Sequence, residues 1–102
     1  MAKIFITLTG TKHYFGSEFL EKGMELKLIK EPDNELDTEA IKVTLEGLGK
    51  IGCVANSPYT VLGESMSAGR LYDKIEQEAS AEIILVTPNG IICKVDEKDL
   101  LV

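Results

Sequence analysis

Two periods alternate along the chain, and the places where one gives way to the other predict its elements. Ile4-Phe5-Ile6-Thr7-Leu8-Thr9 is an unbroken apolar and β-branched run closed by Gly10, the pattern of a strand covered on both faces. From Met24 the period is two, with Met24, Leu26 and Leu28 on one face and Glu25, Lys27 and Ile29 on the other. The same alternation returns at Ile41, Val43 and Leu45, opposed by Lys42, Thr44 and Glu46. Gly47-Leu48-Gly49 then turns the chain into Lys50-Ile51-Gly52-Cys53-Val54-Ala55, its hairpin partner. A second hairpin joins Glu78–Thr87 to Ile91-Ile92-Cys93-Lys94-Val95 around Asn89-Gly90, a dipeptide that accepts the positive φ of tight turns. Six strands are predicted, over residues 3–9, 24–30, 40–46, 50–55, 79–87 and 91–96.

Between the fourth and fifth strands the period becomes helical. Asn56-Ser57-Pro58 offers a cap and a proline suited to a first helical position. Tyr59, Leu62 and Met66 then share a face, and Leu71 and Ile75 resume the spacing after Gly63 and Gly69. The spacing predicts two short helices over residues 57–77, with Leu62, Met66, Leu71 and Ile75 facing inward and Tyr59 joining the core rather than a site. Glu31-Pro32-Asp33-Asn34-Glu35-Leu36-Asp37 is dense in turn formers, and its proline cannot donate to a central ladder, so it connects strands. The fold class that follows is mainly β: a small six-stranded barrel, OB-like or SH3-like, with a short two-helix insertion. Closure removes the edges that so many short strands would otherwise expose.

Length changes this picture little, since 102 residues suit one domain, here residues 1–102. Charge changes it more. Eleven basic residues against seventeen acidic give a net charge of −6, which excludes broad electrostatic capture of a phosphate backbone, so any nucleic-acid contact is local. The imbalance is itself uneven. Residues 1–30 carry five lysines against three glutamates, whereas residues 31–46 carry six acids against Lys42. No apolar run approaches the roughly 20 residues of a membrane helix. The amino terminus reads straight into the first strand without a secretory signal, so the expectation is a cytoplasmic protein making no membrane contact. Cys53 and Cys93 lie in strand-like runs without C-x-x-C spacing and read as reduced, buried thiols.

Several familiar chemistries fail on spacing. Gly47-Leu48-Gly49-Lys50-Ile51-Gly52 matches G-x-G-x-x-G, but a dinucleotide fingerprint needs a helix after its glycines, and a strand follows here. The acids from Asp33 to Glu39 suggest a calcium loop, yet the sixth position is Thr38 and the twelfth Thr44. One histidine and two distant cysteines make no zinc pattern. His13 is the one imidazole base and no G-x-S-x-G elbow accompanies it, so the chain reads as non-enzymatic and without a cofactor. Lys12-His13-Tyr14-Phe15 stands apart. A lysine beside flat rings in a loop can neutralise a phosphate and stack a base, the combination used for single strands. Tyr14 and Phe15 can equally plug one end of the barrel.

Taken in order, Gly10-Thr11-Lys12-His13-Tyr14-Phe15-Gly16, Glu31-Pro32-Asp33-Asn34-Glu35-Leu36-Asp37, Glu39-Ala40-Ile41-Lys42-Val43 and Lys50-Ile51-Gly52-Cys53-Val54 resemble a HIRAN domain. The likeness covers about residues 3–95, and the E-P-D-N-x-x-D-x-x-A-I segment is its most specific part. The sequence is similar to the amino-terminal HIRAN domain of SNF2-type helicases. That resemblance implies an OB-like barrel and capture of the 3′-hydroxyl end of single-stranded DNA. It implies that Asp37 accepts a hydrogen bond from the terminal hydroxyl, with Asn34 as a polar partner on the same loop. Lys12 falls where a phosphate-binding arginine is usual, His13 where a stacking tyrosine is usual, and Tyr14 continues that aromatic run. Leu36 replaces a second stacking tyrosine, Cys53 a histidine, and Asn56 a basic residue near the phosphates. Losing one stacked base at roughly 1–3 kcal/mol implies about tenfold or more in affinity. The partners implied are a single-stranded DNA end and a DNA-processing protein. An acidic chain with a changed pocket also fits a protein-interaction or small-ligand module on the same fold.

Overall fold

In the computed structural model of the chain, which describes residues 3–101, six antiparallel strands close into a barrel. Met1, Ala2 and Val102 of the expected domain lie outside the described residues. The strands are β1 (Phe5–Thr9), β2 (Glu25–Lys30), β3 (Ile41–Leu45), β4 (Gly49–Val54), β5 (Glu78–Thr87) and β6 (Gly90–Val95). Around the barrel they run β1-β4-β3-β2-β5-β6, and β6 pairs back onto β1. All six predicted strands form. The inward residues of the period-two runs, among them Leu26, Leu28, Ile41, Val43 and Ile83, are buried together with Ile6 and Leu8 of β1. Each such side chain removed from water contributes about 1.5–3 kcal/mol. The second hairpin turns one residue earlier than Asn89-Gly90: Thr87 pairs with Gly90, so Pro88 and Asn89 form the loop, closed by the Thr87 hydroxyl donating to Gly90 O at 2.6 Å.

Where β4 meets β1 the ladder is short, Leu8 opposite Val54 and Thr9 opposite Cys53. The approach depends on Gly52, because a Cβ there would stand 2.6 Å from Thr9 O and 2.7 Å from Leu8 Cδ1. The rest of that flank of β1 is covered by the insertion after β4.

That insertion contains one helix, α1 (Ala68–Tyr72), rather than the two expected. The reason lies in β1. Thr7 is fully buried on the outer side of the strand, and the Leu62 N–H donates to its hydroxyl at 3.1 Å. The same hydroxyl lies 2.6 Å from Ser65 Oγ, which itself donates to Leu62 O. The Met66 N–H donates to Phe5 O at 2.7 Å. Donors that a helix would use internally are therefore spent on β1, and Gly63 leaves the helical region at φ 54°. Residues 57–66 become a strap of turns. Tyr59 is 95% exposed on it, not part of the core, and Leu62 and Met66 are half-buried, whereas Leu71 and Ile75 are buried as expected. α1 is capped by Ser67 Oγ, which accepts from the Arg70 N–H at 3.4 Å, and the Lys30 ammonium lies 4.4 Å from the centre of the Tyr72 ring. No helix among the described residues is long and apolar enough to cross a membrane.

Candidate nucleic-acid interface

The acidic connection between β2 and β3 is shaped by its own side chains. The Glu31 N–H donates to Ala40 O at 2.8 Å and closes the loop at its base. Asn34 Oδ1 accepts from both the Leu36 and Asp37 N–H groups, at 2.9 and 3.0 Å, so a short polar side chain takes the place of a backbone turn. Asp37 repeats the device three residues on, its Oδ1 accepting from the Glu39 N–H at 2.9 Å. Two nested turns present Asp37 half-buried and lift Leu36 to the tip, where it is 98% exposed.

The loop reaches across to the segment after β4. Asn56 Nδ2 donates to Asp37 Oδ2 at 2.8 Å, and Asn56 Oδ1 accepts from the Gly69 N–H at 2.8 Å in the first turn of α1. One amide thus spans two elements, and a carboxylate holding two hydrogen bonds is fixed in orientation. The glycine is required by space: a Cβ at position 69 would lie 2.8 Å from Glu39 Oε1 and 3.2 Å from Asn56 Oδ1.

On the other side of β4, Gly10 enters a left-handed conformation at φ 75° and starts the 3₁₀ turn Thr11–His13. Lys12 and His13 are exposed on it. Tyr14 is 43% and Phe15 55% exposed, so neither plugs the barrel. The Lys50 ammonium lies 5.4 Å from the Tyr14 ring centre and 3.6 Å from Glu31 Oε1. Hydrogen bonding with Tyr14, ahead of the attraction of Glu31, raises the Lys50 pKa above the usual lysine value against the opposing effect of burial. Cys53 is half-buried beside Gly10, and its burial, only partly offset by Lys50, pushes its thiol pKa up. Both cysteines are free, and Cys93, inside the barrel, is pushed up to about 12 by burial.

Asn34, Asp37 and Asn56 therefore meet in one hydrogen-bond network, while Tyr14 and Cys53 gather about Lys50. Lys12 and His13 stand on the rim and Leu36 on the tip. Lys50 and Glu31 were not among the candidates from sequence. In a regular strand, residues three apart face opposite ways, which would separate Lys50 from Cys53. A register shift against β3, at Val43 and Thr44, runs an extra residue of β4 past its partner and brings both to the outer side.

The family model for the HIRAN domain matches residues 1–85. In three dimensions the chain is similar to the crystal structure of the HIRAN domain of human HLTF, with a TM-score of 0.61 and 16% identity. That likeness covers 96% of this chain and 79% of the other, and at such identity it is a likeness of fold. No curated protein matches the sequence.

Proposed function

This chain belongs to the HIRAN domain family, a family of nucleic-acid-binding modules, and from that premise we propose that it holds single-stranded DNA by a free 3′-hydroxyl end. The observation that carries the reading is the Asp37 carboxylate. Glu39 and Asn56 each donate to one of its oxygens, and the group stays half-buried at the surface. An ionised carboxylate offers about four acceptor positions, so it can take a further O–H donor without losing either anchor. A terminal 3′-hydroxyl supplies that donor; a 3′-phosphate sets like charge against it.

The remaining residues divide the work. Lys12 neutralises the penultimate phosphate, and His13 and Tyr14 offer faces for a base. Asn34 holds the loop in shape, and Asn56 acts through Asp37. Leu36 and Cys53 border the site. The net charge of −6 keeps binding weak and local. The module is one domain, residues 1–102, that binds without catalysing, serves a DNA-processing protein, and works in a reducing compartment such as the cytoplasm, in keeping with two free thiols.

Fluorescence anisotropy of a labelled strand ending in a 3′-hydroxyl, against the same strand ending in a 3′-phosphate, tests this. The free end should bind about ten- to hundredfold tighter, the worth of a charge-assisted hydrogen bond. Asp37→Ala should erase the difference. Equal binding of the two ends overturns end capture. Leu36 and Tyr59, 98% and 95% exposed, favour a second reading as a protein-interaction module. That reading gains if neither strand binds.

A further inference from the structure

The loop over residues 31–40 is fastened to the line of β4 at two points of different chemistry. Asp37 is held by the Asn56 amide, and Glu31 is held by the Lys50 ammonium at 3.6 Å. We propose that Lys50, its ammonium set over the Tyr14 ring, forms a second anion subsite for a backbone phosphate of the bound strand, and that Glu31 fills it in the free protein as a displaceable stand-in. The inference rests on the reading of the chain as a single-strand binder.

Three observations carry it. Lys50 has an aromatic face on one side and a single carboxylate oxygen on the other, the contact being one ammonium against one oxygen rather than a two-pronged pair. Both partners are partly open to water, with side-chain exposures of 31% and 24%, and ion pairs of that kind contribute little net stabilisation. A phosphate, with a full charge and more acceptor oxygens, can therefore replace Glu31 without unfolding anything. The subsite also stands at a useful distance. Lys50 and Asn56 are six residues apart on nearly extended chain, at most about 20 Å, so a strand held by its end at Asp37 reaches Lys50 with a phosphate some nucleotides upstream. Glu31 then acts as a competitor for the strand, and its own loop carries the group that holds the end.

Removing the competitor should strengthen binding, but only while Lys50 is there to be released. By anisotropy with the free-ended strand, Glu31→Gln should tighten binding about two- to fivefold and Lys50→Ala weaken it by a similar factor. In the Lys50→Ala background Glu31→Gln should do no more than Asp33→Asn, which removes an exposed charge from the same loop and measures the long-range effect alone. Lys50→Arg should restore binding, and thermal unfolding confirms that each variant is folded. A Glu31→Gln gain that survives Lys50→Ala overturns the subsite. Running the same set on the 3′-phosphorylated strand separates the two claims. If both ends bind equally yet the dependence on Lys50 persists, end capture fails and the subsite stands. If the end preference persists without that dependence, the subsite fails alone. No binding of either strand overturns both.

Discussion

On one flank β4 lies against β1 through a glycine, with Leu8 and the Thr9 carbonyl pressed where a side chain would be. On the other, beyond the ladder with β3, the 31–40 loop reaches Lys50 of β4 through Glu31 and Asn56 just after the strand through Asp37, both contacts partly in water. The first flank holds by shape and the second by polar bonds. Close packing makes substitution costly and leaves no room for a ligand. Exposed polar bonds contribute little to stability and can be exchanged for a ligand's groups. The same strand therefore supplies stiffness on one side and a binding surface on the other, and substitutions on the two sides should show opposite ratios of stability loss to binding loss.

The largest effect is expected at Gly52. Gly52→Ala forces β1 and β4 apart and should cost about 3 kcal/mol in urea unfolding, lowering strand binding only as far as the protein unfolds. Thr7→Val comes next. It strands the Leu62 N–H and frees Ser65, costing about 2 kcal/mol, and hydrogen exchange at Leu62 should accelerate while the 31–40 loop is unaffected. Cys93 gives a pH test of the interior. Its folded pKa, about 12, lies above the ordinary thiol value of 9.0, so the unfolded chain loses its proton first as pH rises. The buried thiol's contribution is complete below pH 9 and should fall by about 1.4 kcal/mol for each pH unit above it, until about pH 12. Cys93→Ala should flatten that slope. Cys53, only half-buried, should meet a thiol reagent first, and Cys93, inside the barrel, only on unfolding. Asn56→Ala closes the series, costing about 1 kcal/mol of stability while removing most of the end preference. If it instead destabilises the fold as much as Gly52→Ala and leaves the preference intact, the contrast between the flanks is lost.

What could be read from sequence follows the range of the interactions involved. The strands announced themselves because alternation is local, and Asn34 and Asp37 could be singled out because the E-P-D-N turn is a contiguous motif. The strap over residues 57–66 carries the apolar spacing of a helix without being one; its hydrogen bonds go to Thr7 and Phe5, about sixty residues back in the chain, and no local pattern carries that. Lys50 is illegible in the sequence for a related reason. Its facing depends on an irregularity in pairing with β3, and a bulge leaves little mark on the period of a six-residue strand.

Gly69 sets an aperture. Its missing side chain is what lets the first turn of α1, the Asn56 amide and Glu39 crowd together, and a single methyl there would act as a wedge. It would push the Glu39 carboxylate and the Asn56 amide aside, and so alter the spacing between the helix and the loop together with the hold on Asp37. Position 69 is thus a handle on the width of the site, where one added carbon would bear directly on the amide that orients Asp37.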